Sequence, residues 1–170
     1  MTNRNTLNKN VRWEKRVVKI ARVSKVVKGG KKLSFRATLV TGNRNGLVGV
    51  GIGKAEETAL AIKKAEVNAK KNLVKVPLVK GQTIPHSIIG NTGGCKVFIR
   101  PAVPGTGVIA GGAVRVVLEL AGVKNILSKQ LGSNNALNNA RATVIGLKNI
   151  KAIGQIAQKR QISIEQVLGN

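Results

Sequence analysis

The first third of the chain alternates between β-branched, apolar stretches and short turns, which predicts an antiparallel meander of three strands. Residues 16–28 mix Val and Ile with Lys and Arg, and this β-branched run predicts a strand. Residues 33–40 alternate strictly, with Leu33, Phe35, Ala37 and Leu39 on one face. The glycine-containing segments 28–32 and 42–46 lie where the two turns of the meander are needed.

The third strand, residues 47–53, has Val48, Val50 and Ile52 on one face and only glycines on the other. A strand face without side chains allows another element to approach the backbone closely. A helix is predicted over residues 54–73, because small and apolar residues recur there at spacings of three and four. The predicted apolar stripe is Ala59, Ile62, Ala65, Ala69 and Leu73, with Glu56 and Glu57 in the first turn and Lys70 and Lys71 in the last.

The second half of the chain predicts a separate α+β unit that follows a junction at residues 74–83, which contains Pro77 and Gly81. Its predicted elements are strands 84–90 and 96–101, a glycine-rich loop 104–112, a helix 113–121, a strand 123–131, a helix capped by Ser133 or Asn134 that runs to residue 149, and a short helix 164–168 capped by Ser163. We therefore expect a flexible basic arm (1–11), an N-terminal domain (12–76), a linker (77–83), a C-terminal domain (84–162) and a short tail (163–170).

The charge of the chain indicates that this α+β protein has a polyanionic partner. The 170 residues include 30 Lys and Arg against 6 acids, a formal net charge of +24. Residues 1–36 alone carry twelve cations and one glutamate. Several lysines crowd the predicted hairpin around Gly29 and Gly30, where each can meet a phosphate.

Composition also excludes several kinds of chemistry. The chain has no aspartate, one histidine and one cysteine, which removes aspartate-dependent catalysis, a structural zinc site and an internal disulfide. No apolar run reaches the ~20 residues needed to cross a bilayer. We therefore expect no catalytic residue, metal, cofactor, small-molecule substrate or membrane association.

Stacking on single-stranded bases is disfavoured, because Trp13, Phe35 and Phe98 are the only aromatic residues and the last two are interpreted as core.

Two glycine-rich stretches resemble nucleotide-binding motifs. The stretch that ends in Gly53-Lys54-Ala55 lacks the first glycine and the Ser/Thr of a P-loop. Residues 105–110 match a dinucleotide-binding glycine pattern, but no acid follows about 20 residues later. A backbone phosphate of RNA is the better ligand for such a loop. His86 and Cys95 are interpreted as structural.

Three motifs in order carry a resemblance to a known family. Residues 24–35 contain Lys-Gly-Gly-Lys-Lys, residues 46–55 contain the glycine-alternating strand, and residues 104–115 contain Gly-Thr-Gly-Val-Ile-Ala-Gly-Gly-Ala. Together with residues 119–123 and 131–135, they resemble the bacterial-type small-subunit ribosomal protein five family over about residues 12–168.

The resemblance implies two α+β domains, the first similar to a double-stranded-RNA-binding domain and the second containing a βαβ unit. It implies binding to 16S-type rRNA, contacts with small-subunit proteins four and eight, a position near the mRNA entry path and an influence on decoding accuracy. The residues present in these motifs favour a location of the protein in the plastid stroma over one in a bacterial cytoplasm. The candidate rRNA-binding residues are Arg12, Arg16, Lys19, Arg22, Lys25, Lys28, Gly29, Gly30, Lys31, Lys32, Arg36, Arg44 and Lys54. The candidate interface with protein four comprises Gly105, Gly107, Gly111, Gly112 and Arg115.

Two other functions use part of the same evidence. A free-standing double-stranded-RNA-binding protein would share the charge and the first domain, but it leaves the second domain unexplained. A phosphotransferase would need a metal-binding acid and an intact phosphate-binding loop. The chain has no aspartate and no intact loop of this kind, which argues against this function.

Overall fold

The computed structural model describes residues 12–79 and 82–168. The predicted arm 1–11, residues 80–81 of the predicted linker and residues 169–170 of the predicted tail lie outside these residues. The elements are β1 (Glu14–Val27), β2 (Gly30–Gly42), β3 (Leu47–Ala55), α1 (Thr58–Lys71), β4 (Leu73–Lys75), β5 (Ile88–Thr92), β6 (Cys95–Pro101), β7 (Val108–Ile109), α2 (Gly112–Ala121), β8 (Ile126–Gly132), α3 (Ala136–Asn149), α4 (Ile153–Arg160) and α5 (Ile164–Leu168). The fold is a two-domain α+β architecture.

The first sheet is antiparallel, in the order β1-β2-β3-β4. The predicted meander and both of its turns are confirmed, and the ladder between β1 and β2 extends from Glu14 to the Val27–Gly30 pair, with an irregularity between Val17 and Lys19. The prediction of three strands was one short, because α1 ends at Lys71 and β4 pairs with β3. A three-residue strand is too short to produce a recognisable alternation.

Helix α1 packs on the glycine face of β3, as the pattern predicted. A Cβ atom at Gly49, Gly51 or Gly53 would overlap backbone oxygens of α1, and the helix residues at this contact are the buried alanines Ala61, Ala65 and Ala69. Two members of the predicted apolar stripe are wrong, since Ala59 is exposed and Leu73 lies in β4, beyond the end of α1. Glu57 is the N-cap residue, so Glu56 and Glu57 precede the first turn, whereas Lys70 and Lys71 lie in the last turn as predicted.

The second sheet has the order β5-β6-β8-β7, and β7 and β8 are parallel, with α2 as their crossover. This is the expected βαβ unit. Three boundaries differ from the predictions: β5 begins at residue 88, β8 begins at residue 126, and the N-cap of α3 is Asn135. Helix α4 and the short β7 were not predicted, whereas the cap of α5 by Ser163 is confirmed by the Gln166 N–H, 3.3 Å from its hydroxyl.

Phe98 does not lie in the core, contrary to the prediction. Its neighbours Val97 and Ile99 are fully buried, so the two-residue period of β6 places Phe98 on the opposite face, where it is half-buried. Phe35 is half-buried against the alanines of α1, which agrees with the prediction.

Helices α2 and α3 lie between the two sheets and share one core with both. This core joins Val40 and Val48 of the first sheet to Val117 of α2, Leu147 of α3 and Ile99 of the second sheet. The β2–β3 turn docks on the end of α2, where the Arg44 N–H donates to the Leu120 carbonyl (3.0 Å) and the Gly46 N–H to that of Ala121 (2.9 Å). The two sheets are thus held in one packed body.

Replacing Gly51 by alanine should destabilise the protein, because the new Cβ would overlap the Ala65 carbonyl and the Ala69 backbone nitrogen. We expect a loss of about 2 kcal/mol or more in the free energy of unfolding, measured by urea denaturation. Gly154→Ala is the matched control, since the residue is helical and a Cβ added there would have no other atom within 4 Å. Equal stability of the two variants would contradict the close packing of α1 on β3.

Candidate RNA-binding surface

Five candidate cations lie on one face of the first sheet, which we call the basic face: Lys19, Lys25, Lys32, Arg36 and Lys54. Cross-strand partners share a face, and the register pairs Lys25 with Lys32, Arg36 with Lys54 and Lys19 with Thr38. Nearer the β2–β3 turn, the same face packs on the core through Val40. All five cations are exposed and make no ion pair with another described residue.

Two of these cross-strand pairs oppose like charges. Cα atoms of paired strand residues are roughly 5 Å apart, and like charges placed directly opposite destabilise a sheet. The Lys25–Lys32 and Arg36–Lys54 pairs are therefore unfavourable in isolation, and an anion bound between their side chains would reduce the repulsion. A chain of phosphates can meet both pairs at once, which makes a polyanion the fitting ligand.

The hairpin tip carries a second group of candidates. Lys28 and Gly29 form the turn, Gly30 and Lys31 begin β2, and all four are exposed. Gly29 and Gly30 have φ values of 95° and 146°, which glycine adopts without the strain other residues would incur. Arg22 is exposed on the sheet face opposite the basic face, and Arg12 is exposed just before β1.

Arg16 and Arg44 are the two candidates that form ion pairs within the protein. Arg16 pairs with Glu119 of α2, and Arg44 pairs with Glu14 at 2.8 Å. Glu119 also accepts a hydrogen bond from Arg115 at 2.8 Å, so it joins a predicted rRNA-binding residue to a predicted interface residue. Sequence reasoning gave Glu119 no role, and a separation of 103 residues from Arg16 leaves no local signal for the contact.

Electrostatics identify Glu119 and Glu66 as the stabilised carboxylates. The hydrogen bond from Arg115, with the added charge of Arg16, lowers the pKa of Glu119 below its usual 4.5. Hydrogen bonds from Lys15 and Lys70 lower the pKa of Glu66 in the same way. Lys15 lies on the α1 side of the sheet, so this second cluster fixes β1 to α1.

The glycine-rich loop before α2 is organised by Asn125. The side-chain oxygen of this buried residue accepts hydrogen bonds from the N–H groups of Gly105 (3.0 Å) and Gly107 (3.1 Å). Those two donors are thus used within the protein, which corrects the expectation that the loop offers them to a phosphate. Gly105, Gly111, Gly112 and Arg115 are exposed, and Gly107 is half-buried.

The remaining singled-out residues have structural positions. Cys95 is fully buried, and its thiol donates to the Ser133 carbonyl at 3.1 Å. His86 Nε2 accepts from the Lys151 N–H at 3.2 Å, and its Nδ1 lies 2.9 Å from the Ser87 carbonyl oxygen. Within residues 12–79 and 82–168, no three His, Cys, Asp or Glu side chains come together as metal ligands. Over the same residues, no helix has both the length and the apolar character to cross a membrane.

Replacing Glu119 by glutamine should destabilise the protein at neutral pH and matter less in acid. A carboxylate whose pKa is lowered by folding contributes stability above its unfolded pKa and loses it as the pH falls through the folded value. Because Arg16 and Arg115 are about half exposed, we expect a loss of about 0.5–1 kcal/mol at pH 7. Thermal unfolding of the variant and the wild type at pH 7 and pH 3 measures this loss of stability and its dependence on pH.

Glu56→Gln is the control for this measurement, since it removes the same charge from an exposed residue that has no ion pair with another described residue. A Glu119→Gln variant as stable as this control at pH 7 would show that the Arg16–Glu119–Arg115 cluster contributes nothing to stability.

Fold and surface together define a class: a two-domain α+β protein with an uncompensated basic sheet face suited to RNA. Comparison with known proteins identifies the family. The N-terminal domain of ribosomal protein S5 matches residues 13–77, and the C-terminal domain of ribosomal protein S5 matches residues 90–160. Small ribosomal subunit protein uS5 of Picosynechococcus sp. is 62% identical over 159 residues, which cover 94% of this chain and 92% of that protein.

Two further relatives extend the range of organisms. Small ribosomal subunit protein uS5 of Nostoc punctiforme is 59% identical over 155 residues (91% of this chain, 89% of that protein). Small ribosomal subunit protein uS5c of Trieres chinensis is 57% identical over 151 residues (89% and 82%). The chain belongs to the ribosomal protein S5 family, a non-enzymatic family of the small ribosomal subunit. It is a ribosomal protein of the cyanobacterial and plastid type, associated with the small subunit and its rRNA.

Proposed function

We propose that this chain binds small-subunit rRNA through the basic face and the hairpin tip and thereby holds a local rRNA fold in place. The observation that carries the proposal is the pair of like-charge oppositions, Lys25–Lys32 and Arg36–Lys54. Phosphates that enter this face release counterions, which makes binding favourable and dependent on salt. Arg16 and Arg44 support the surface indirectly, since their ion pairs position β1 and the β2–β3 turn.

The second domain presents the proposed contact with a neighbouring protein. The exposed residues Gly105, Gly111, Gly112 and Arg115, with the half-buried Gly107, lie before α2 and in its first turn. We assign this surface to small-subunit protein four and expect protein eight as a further neighbour, because the family resemblance implies both. Near the mRNA entry path, this contact would support decoding accuracy.

Charge reversal of Lys28 and Lys31 to glutamate should weaken rRNA binding. Both residues are exposed at the hairpin tip, so folding should be unaffected while two phosphate contacts are lost. We expect at least a tenfold lower affinity for deproteinised small-subunit rRNA and a flatter salt dependence by about two units of slope. Filter binding over a salt series measures both quantities. In sedimentation through a density gradient that contains magnesium, a tagged variant should also stay at the top while the wild-type chain migrates with the small subunit.

The control reverses Lys96 and Lys129, two exposed lysines on the outer face of the second sheet, and so makes the same change in net charge. Equal losses in the two double variants would mean that binding follows total charge and not the hairpin. A wild-type chain that stayed at the top of the gradient beside intact subunits would favour the free RNA-binding protein.

Replacing Gly112 by leucine should disturb the protein-four contact and leave the fold intact. Nothing lies within 4 Å of a Cβ at this position, and it is the first residue of α2. We expect reduced retention of protein four in reconstituted subunits and increased misreading in a reporter assay, with unchanged rRNA affinity. Gly94→Leu, at another glycine with open space around it, serves as the control. Retention and misreading that match this control would refute the assignment.

A further inference from the structure

A cavity of about 190 Å³ lies where the basic face meets the N-terminus of α3. Its walls are Lys19, Ala21, Arg36 and Thr38 from the first sheet, with residues 135–137 from the second domain. No glutamate lines it. The cavity therefore joins two strands of one domain to a helix of the other, at a place that sequence reasoning did not single out.

Both cations of the cavity are available to a ligand. Thr38 pairs with Lys19 across β1 and β2 and lies two residues from Arg36, so the three side chains are neighbours on one sheet face. Lys19 and Arg36 are exposed and make no ion pair with any residue that the structure describes. Two converging cations without an acid indicate a site for an anion.

The hydroxyl of Thr38 adds an independent indication. Thr38 is only 4% exposed, and its side chain lines the cavity. No hydrogen-bond partner for this hydroxyl is found in the described part of the chain. The hydroxyl is not among the polar atoms that are fully shielded from solvent, so it can be reached from the cavity, where an oxygen acceptor could take its hydrogen bond.

The α3 end of the cavity supplies backbone donors. The Asn135 side chain accepts from the Leu137 N–H at 3.1 Å, and the Asn135 carbonyl accepts from the Asn139 N–H at 2.9 Å. The Ala136 N–H, in the wall of the cavity, has no partner among the described residues, and neither has the N–H of Asn138, one residue beyond the lining. Such donors, together with the helix dipole, favour a phosphate group.

We infer that this cavity binds one backbone phosphate of rRNA, held by Lys19, Arg36, the Thr38 hydroxyl and the first-turn N–H groups of α3. The inference rests on the proposed function and extends it, because a single phosphate would then contact both domains. Binding at this site ties the orientation of the first sheet relative to α3 to the position of the RNA backbone.

The decisive variant is Ala136→Pro in the full-length chain. Ala136 is the first residue of α3, a position that accepts proline because its N–H has no partner within the helix. Asn135 before it is extended (ψ 113°), as a residue preceding proline requires. The variant therefore removes one proposed donor and changes no charge. We expect roughly fivefold to tenfold weaker binding to deproteinised small-subunit rRNA with an unchanged salt slope.

Thr58→Pro is the matched control, because it places proline at the first position of α1, after the extended Glu57 and away from the cavity. It should bind rRNA like the wild type. Arg36→Gln should lower both the affinity and the salt slope, the latter by about one unit. If Arg36 and Ala136 contact the same phosphate, the loss in the double variant should be smaller than the sum of the single losses.

Thr38→Val provides a second test that does not depend on tolerance of proline. It keeps the side-chain shape and removes the hydroxyl, so stability should be equal or higher while rRNA affinity falls severalfold. Folded Ala136→Pro and Thr38→Val proteins with wild-type affinity would overturn the phosphate site alone. A wild-type chain without rRNA binding in the same assay would overturn the proposed function and this inference with it.

Discussion

The structure depends on the burial of β2 on both faces over its second half. Ala37 and Leu39 pack towards α1, while Val40 packs into the core that contains α2. This sandwich requires α1 to approach the backbone of β3, which the glycines at 49, 51 and 53 permit. Because helices cover both faces only near the β2–β3 turn, the other half of the long hairpin is left exposed.

Charge is divided along the same direction. Glu14, Glu66 and Glu119 pair with cations at the covered end, where β1 meets α1, α2 and the β2–β3 turn. Towards the hairpin tip, the strands carry lysines and arginines without a described acidic partner. The charges of the packed end are thus paired within the protein, whereas the exposed end carries the unpaired cations that we propose bind rRNA phosphates.

Local patterns predicted the elements whose reason is local. The glycine alternation of residues 47–53, the turn at residues 28–32 and the helix 113–121 all follow from the side chains present at those positions. The errors occurred where the reason is distant. Strand β4 exists because the edge of β3 is available for pairing, and Phe98 faces outward because α2 and α3 occupy the inner side of the second sheet.

The sequence by itself determined the class of ligand and predicted the region that would bind it, because twelve cations against one acid in residues 1–36 favour a polyanionic partner. Only the tertiary structure decided the role of each cation. It placed Arg16 against Glu119, used Asn125 to occupy the donors of the glycine loop, and brought Lys19 and Arg36 to the N-terminus of α3. These contacts join residues that are 18 to more than 100 positions apart, and no sequence periodicity indicates which distant segments pack together.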